Sequence, residues 1–132
     1  MESLIREILQ LKIIAVVGCS PKEERPSHYV SAYLKSEGYR IIPVNPGHSR
    51  IIGEKCYPDL LKIPERIDLV LIFRRPEHVF SIVNDAIKIK AKAVWMQDGI
   101  EDLPASQAAQ KAGLKVVMND CIMRRHQDIS DL

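Results

Sequence analysis

Five short apolar runs alternate along this chain with segments whose apolar residues recur at helical spacing. The first run, Ile13-Ile14-Ala15-Val16-Val17, has no polar interruption, the pattern of a parallel strand buried on both faces, and it ends on Gly18. Strands are predicted over residues 12–18, 40–46, 68–73, 93–97 and 115–119. Between them, Val30, Tyr33 and Leu34 share one face of a segment stopped by Gly38. Val79, Phe80, Val83, Ala86 and Ile87 form a helical stripe over residues 76–90, and an alanine-rich stretch over residues 104–112 is stopped by Gly113. Leu4, Ile5, Ile8, Leu9 and Leu11 predict an opening amphipathic helix. Residues 46–57 read as a loop with one extended piece at 51–53, then a helical turn at 59–61. The polar tail after Cys121 reads as partly helical.

Five alternations of strand and helix, joined by right-handed crossovers, imply an α/β fold: a Rossmann-type, doubly wound, five-stranded parallel sheet in one domain over residues 1–132. With the first strand central, the expected order is 3-2-1-4-5. Pro43 in the second strand argues for an unpaired edge or an end position. All five strands then finish on one rim, where open α/β sheets bind their ligands.

Composition narrows the partners. A net charge of +2 on 132 residues, without a Lys/Arg stripe interleaved with aromatics, argues against nucleic acid. No apolar run approaches membrane length, and the acidic start Met1-Glu2-Ser3 is unlike a signal peptide, so a cytoplasmic protein is expected. Cys19, Cys56 and Cys121 lack metal or disulfide spacing and read as small buried hydrophobes. Cys19 alone sits where a helix N-terminus lowers a thiol pKa.

The rim residues carry the chemistry. Gly18-Cys19-Ser20 leads through Lys22 and Arg25 to Pro26-Ser27, where proline suits a first helical position. Strand, glycine turn and helix N-terminus form a phosphate cradle. The later glycines of a dinucleotide loop are missing, and the second strand ends on Asn45-Pro46 rather than on an acid that would grip a ribose. Arg74 and Arg75 follow the third strand. A polyanionic adenine nucleotide suits these basic side chains better than NAD does.

Val17-Gly18-Cys19-Ser20, Arg25-Pro26-Ser27, Pro43-Val44-Asn45-Pro46, Gly53-Glu54, Phe73-Arg74-Arg75, Val94-Trp95-Met96-Gln97 and Ala112-Gly113-Leu114 together resemble the small stand-alone CoA-binding proteins. Those are similar to the N-terminal CoA-binding domain of the succinyl-CoA synthetase alpha subunit. The resemblance runs from Lys12 to about His126 and implies coenzyme A held across the strand C-termini. Carried over by position, Gly18, Cys19, Ser20, Arg25, Pro26 and Ser27 would border the phosphates. Asn45 and Pro46 would border the adenosine, Phe73, Arg74 and Arg75 would flank the nucleotide, and Gln97 and Gly99 would face the pantetheine arm. Asp98 departs from the pattern, with a carboxylate where an apolar residue is expected.

The synthetase depends on a phosphorylated histidine in a later domain, and this sequence stops short of such a domain. His28, His48, His78 and His126 have no nucleophile or carboxylate at catalytic spacing, and no metal cluster appears. The expectation is a module that binds CoA or an acyl-CoA without catalysis, with its protein partner left open. The alternatives are an NAD(P)-dependent oxidoreductase or redox-sensing nucleotide-binding protein, and a CoA-linked enzyme with Cys19 as nucleophile.

Overall fold

A computed structural model describes residues 2–130. In chain order the elements are α1 (Glu2–Leu9), β1 (Ile13–Val17), α2 (Pro26–Ser36), β2 (Arg40–Val44), β3 (Arg50–Ile51), β4 (Glu54–Lys55) and a 3-10 turn (Leu60–Lys62). Then follow β5 (Leu69–Ile72), α3 (Pro76–Lys88), β6 (Ala93–Met96), α4 (Leu103–Lys111), β7 (Lys115–Val117) and α5 (Ile122–Ser130). The five apolar runs are the five strands of one parallel sheet.

Strand alternation divides the core into two layers. Ile14 and Val16 of β1, with Leu69, Leu71 and Trp95, face α1, α2 and α5. Ala15 and Val17, with Val70, Ile72, Val94 and Met96, face α3 and α4. Trp95 is fully buried, and its indole N–H donates to the Asp120 carbonyl at 2.9 Å, so its polar end is satisfied.

The strand order is β2-β1-β5-β6-β7. In the numbering of the five predicted strands this is 2-1-3-4-5, which corrects the expected 3-2-1-4-5. The reason lies at Pro43. Its carbonyl accepts from the Tyr57 N–H on the outer side of β2, and the N–H of Asn45 donates outward to the Tyr57 carbonyl. A proline nitrogen on that side has no hydrogen to offer a full neighbouring strand, so β2 must lie at the edge. The chain therefore passes back over β1 before pairing β5 with it, and the strand order reverses between β1 and β5.

The stretch expected as a loop contains a small hairpin, β3 paired antiparallel with β4. Ile52 and Gly53 at its tip both have positive φ, 55° and 70°, the backbone of a two-residue hairpin turn. Lys35 Nζ donates to the Ile52 carbonyl at 2.8 Å and pairs with Glu54, tying the hairpin to α2. The tail is helical from Ile122, and α5 packs on α1 and α2. Among the described residues no helix is long and apolar enough to cross a membrane.

Candidate functional site

The reversal between β1 and β5 brings the first loop and the Phe73-Arg74 segment face to face. Gly18, with φ +91°, donates its N–H to the Val44 carbonyl, and Phe73 donates its own to the Val17 carbonyl. Three concavities follow one another along this rim. One of about 350 Å³ is lined by Gly18, Ser20, Lys22, Arg25, Ser27 and Phe73. A second, of about 480 Å³, shares Pro26 and Phe73 with it and continues between α2 and α5. A third, of about 220 Å³, lies between Val17, Val44, Pro46 and Arg74, with Pro58 and His78 opposite. A larger hollow of about 560 Å³ sits at the other end of the sheet, lined by Glu7, Lys90, Lys92 and Lys115, and holds none of the rim residues.

The first loop is built by its serines. The Ser20 N–H donates to Ser27 Oγ at 2.9 Å, and Ser20 Oγ accepts from the Lys22 N–H at 3.1 Å. Pro26 at the first helical position has no N–H, and the Ser27 N–H has no acceptor among the described residues. The start of α2 therefore presents its positive end to the 350 Å³ concavity, with the exposed cations Lys22 and Arg25 around it. His28 does not line that space, and its Nδ1 lies 2.9 Å from the Ser20 carbonyl oxygen.

Cys19 turns the other way. Its side chain is fully buried, with Sγ 3.8 Å from the Ser27 carbonyl oxygen and 3.9 Å from Ser31 Oγ. Burial pushes the thiol up from 9.0 to about 11, against the lowering that a helix N-terminus would give. Of this residue, only the backbone borders the loop. Cys56 is likewise raised by burial.

Asn45 shapes the end of β2 with both ends of its amide. Its Nδ2 donates to the Cys19 carbonyl at 2.9 Å, and its Oδ1 accepts from the Gly47 N–H at 3.0 Å. Pro46 and Arg74 both border the 220 Å³ concavity, whereas Arg75, exposed at the start of α3, borders none of the three. Arg50 is spent on the hairpin, donating to the Gly53 carbonyl at 2.6 Å.

At the far end of the rim, Gln97 and Asp98 line the 480 Å³ concavity. Gly99 does not, and its N–H donates to Asn119 Oδ1 at 2.7 Å. Asp98 is neutralised by a forked pairing with Arg124 of α5, at 3.0 and 3.2 Å, which holds its carboxyl below the usual range. Arg124 also reaches Asp120 at 3.2 Å. The α5 contribution to this wall, Met123, Arg124 and Gln127, was not legible as a site in the polar tail. Val30 of α2 read only as a helix position, and its neighbour Tyr29 carried no reading. The available signal was the spacing of Ile122, Met123 and Ile129, which puts an apolar face on an otherwise polar helix.

Fold and rim define a Rossmann-like α/β domain with a basic concavity and an open helix N-terminus at its switch point. The chain belongs to the CoA-binding domain family, whose sequence profile matches residues 12–127. It is 39% identical to an uncharacterized protein of Bacillus subtilis, with 92% of this chain and 91% of that protein aligned. It is 34% identical to the ADP-forming acetate–CoA ligase of Methanocaldococcus jannaschii over 90% of this chain, which spans 18% of the ligase. Among solved structures, a hypothetical protein from Pyrococcus horikoshii superposes with a TM-score of 0.94 at 42% identity, covering 98% of this chain and 92% of that one.

Proposed function

We propose that this protein holds CoA or an acyl-CoA along the C-terminal rim of its sheet and performs no chemistry on it. The observation that carries this reading is the row of three concavities, basic in the middle, joined through Pro26 and Phe73 to an apolar one. The pyrophosphate sits at the start of α2, against Ser20, Arg25 and Ser27. The adenosine with its 3′-phosphate lies toward Asn45, Pro46 and Arg74, and the pantetheine arm runs past Phe73 to Gln97. The ligase relative is named for a reaction with CoA, and it shares this domain.

β2 leads into Asn45, whose amide is turned to the Cys19 carbonyl and the Gly47 N–H, rather than into a carboxylate that would grip both hydroxyls of an NAD ribose. The absence of catalysis is supported by a Cys19 thiol that is buried and protonated at neutral pH and by a His28 nitrogen occupied at Ser20. Calorimetric titration with CoA and with NADH tests the binding reading. CoA should bind far more tightly, and equal affinity or a preference for NADH would overturn it. Incubation of the pure protein with acetyl-CoA should release no free thiol; release above the spontaneous rate would refute the non-catalytic part.

A further inference from the structure

Gln97 is 5% exposed and its amide is oriented by the fold. Its Oε1 accepts from the Ile122 N–H at 2.9 Å. A backbone N–H can only donate, so oxygen must stand there and the amide cannot be flipped. The NH2 end then has no acceptor among the described residues, and the residue lines the 480 Å³ concavity. A fixed donor thus faces a hollow whose other walls are largely apolar: Tyr29, Val30, Phe73, Ile100 and Met123. The charges at its mouth are already matched, because Asp98 and Asp120 together hold Arg124. A second carboxylate entering here would find no unshared cation on these walls.

We infer that the concavity receives the thioester end of an acyl-CoA with a short uncharged acyl group, and that the Gln97 amide donates to the thioester carbonyl. This rests on the CoA-binding reading and names the ligand class within it. Gln97 acts as a specificity residue: an acceptor at the right place satisfies its otherwise unpaired donor, while a ligand without that acceptor leaves the donor desolvated. The apolar walls add affinity for a hydrocarbon chain and none for a terminal carboxylate.

The test compares propionyl-CoA with S-propyl-CoA, a thioether of nearly the same shape that lacks the carbonyl, by titration calorimetry. The wild-type protein should prefer the thioester by about tenfold. Gln97→Glu keeps an acceptor for Ile122 but loses the donor, and it should abolish that preference. Equal wild-type affinity for the two ligands would overturn the inference even if the variant does not fold. So would tighter binding of succinyl-CoA than of butyryl-CoA, which differ at the chain end by a carboxylate. Failure of the wild-type protein to bind CoA itself refutes the CoA-binding reading, and this inference with it. Binding of CoA without thioester preference refutes this inference alone.

Discussion

Arg74 lies directly across Gly18: a Cβ added to the glycine would stand 2.8 Å from Arg74 Cδ and 2.9 Å from the Phe73 carbonyl oxygen. The turn after β1 therefore requires glycine for space as well as for its φ of +91°. Gly38 has a similar φ of +94° with nothing within 4 Å of such a Cβ, which makes it the natural control. Gly38→Ala should cost roughly 1–2 kcal/mol in urea denaturation, the left-handed backbone cost alone, and leave CoA affinity unchanged. Gly18→Ala should cost more and weaken CoA as the Phe73-Arg74 segment is pushed aside. Equal losses of stability in the two variants would show that the contact is unimportant.

The two arginines of the rim should divide the ligand between them. Arg25→Ala should weaken CoA and dephospho-CoA by similar factors, since it borders the concavity at the start of α2. Arg74→Ala should weaken CoA selectively, because the 220 Å³ concavity is assigned the 3′-phosphate end. Each loss should be roughly ten- to a hundredfold, the worth of a charge-assisted hydrogen bond of about 1.5–3 kcal/mol. Arg75, outside all three concavities, should matter little. An unchanged ratio of CoA to dephospho-CoA affinity in Arg74→Ala would place the 3′-phosphate elsewhere.

The buried thiol of Cys19 makes the protein sensitive to alkali. Its pKa rises from 9.0 in the unfolded chain to about 11 in the fold, so the neutral form is favoured by folding. That stabilisation is complete below about pH 9 and is lost as the pH climbs toward 11, amounting to about 2–3 kcal/mol. Cys56 and Tyr39 are shifted upward by burial as well and act in the same direction. Urea midpoints measured between pH 7 and pH 10.5 should fall, and fall less steeply in Cys19→Ala. Identical slopes for variant and wild type would contradict the burial account.

Lys90 offers a stabilising substitution. It follows the C-cap residue of α3 at φ 60°, with its N–H donating to the Ile87 carbonyl and the Ala91 N–H reaching back to Ala86. This is a Schellman turn with an exposed lysine at the position that glycine prefers. Lys90→Gly should raise stability by about 1 kcal/mol, read as a higher Tm with unchanged CoA binding. A lower Tm would mean that the lysine makes up for its backbone cost elsewhere, for instance in the basic hollow it lines.

The apolar runs located all five sheet strands because burial on both faces leaves no room for polar interruptions. Their order was another matter. Propensity and crossover rules are satisfied by more than one arrangement, and placing the first strand at the centre set aside what Pro43 implies about its neighbour. A proline that points its missing donor outward calls for an edge, which excludes a third strand beyond β2 and leaves β1 to pair on its other side, where β5 lies. The rim motifs were visible, yet the sequence does not say which way a side chain turns. Cys19 faces the core, Gly99 is tied to Asn119, and Arg75 lies outside the hollows that Arg74 borders. The wall supplied by α5 depends on long-range contacts of Gln97 and Asp98, at a separation that local pattern cannot reach.

Because α5 forms one side of the largest rim concavity, occupancy and helix docking are two readings of a single equilibrium. Ile122 is joined to Gln97, Arg124 to Asp98, and Met123 faces the same hollow. A guest that needs this wall binds only molecules in which the helix is seated. By thermodynamic reciprocity, the guest secures the helix by the same free energy with which the helix secures the guest. Amide protons of residues 122–130 would then slow their exchange with solvent when the rim fills. They would register an event at the loop after β1 through a helix that lines only the concavity beyond it.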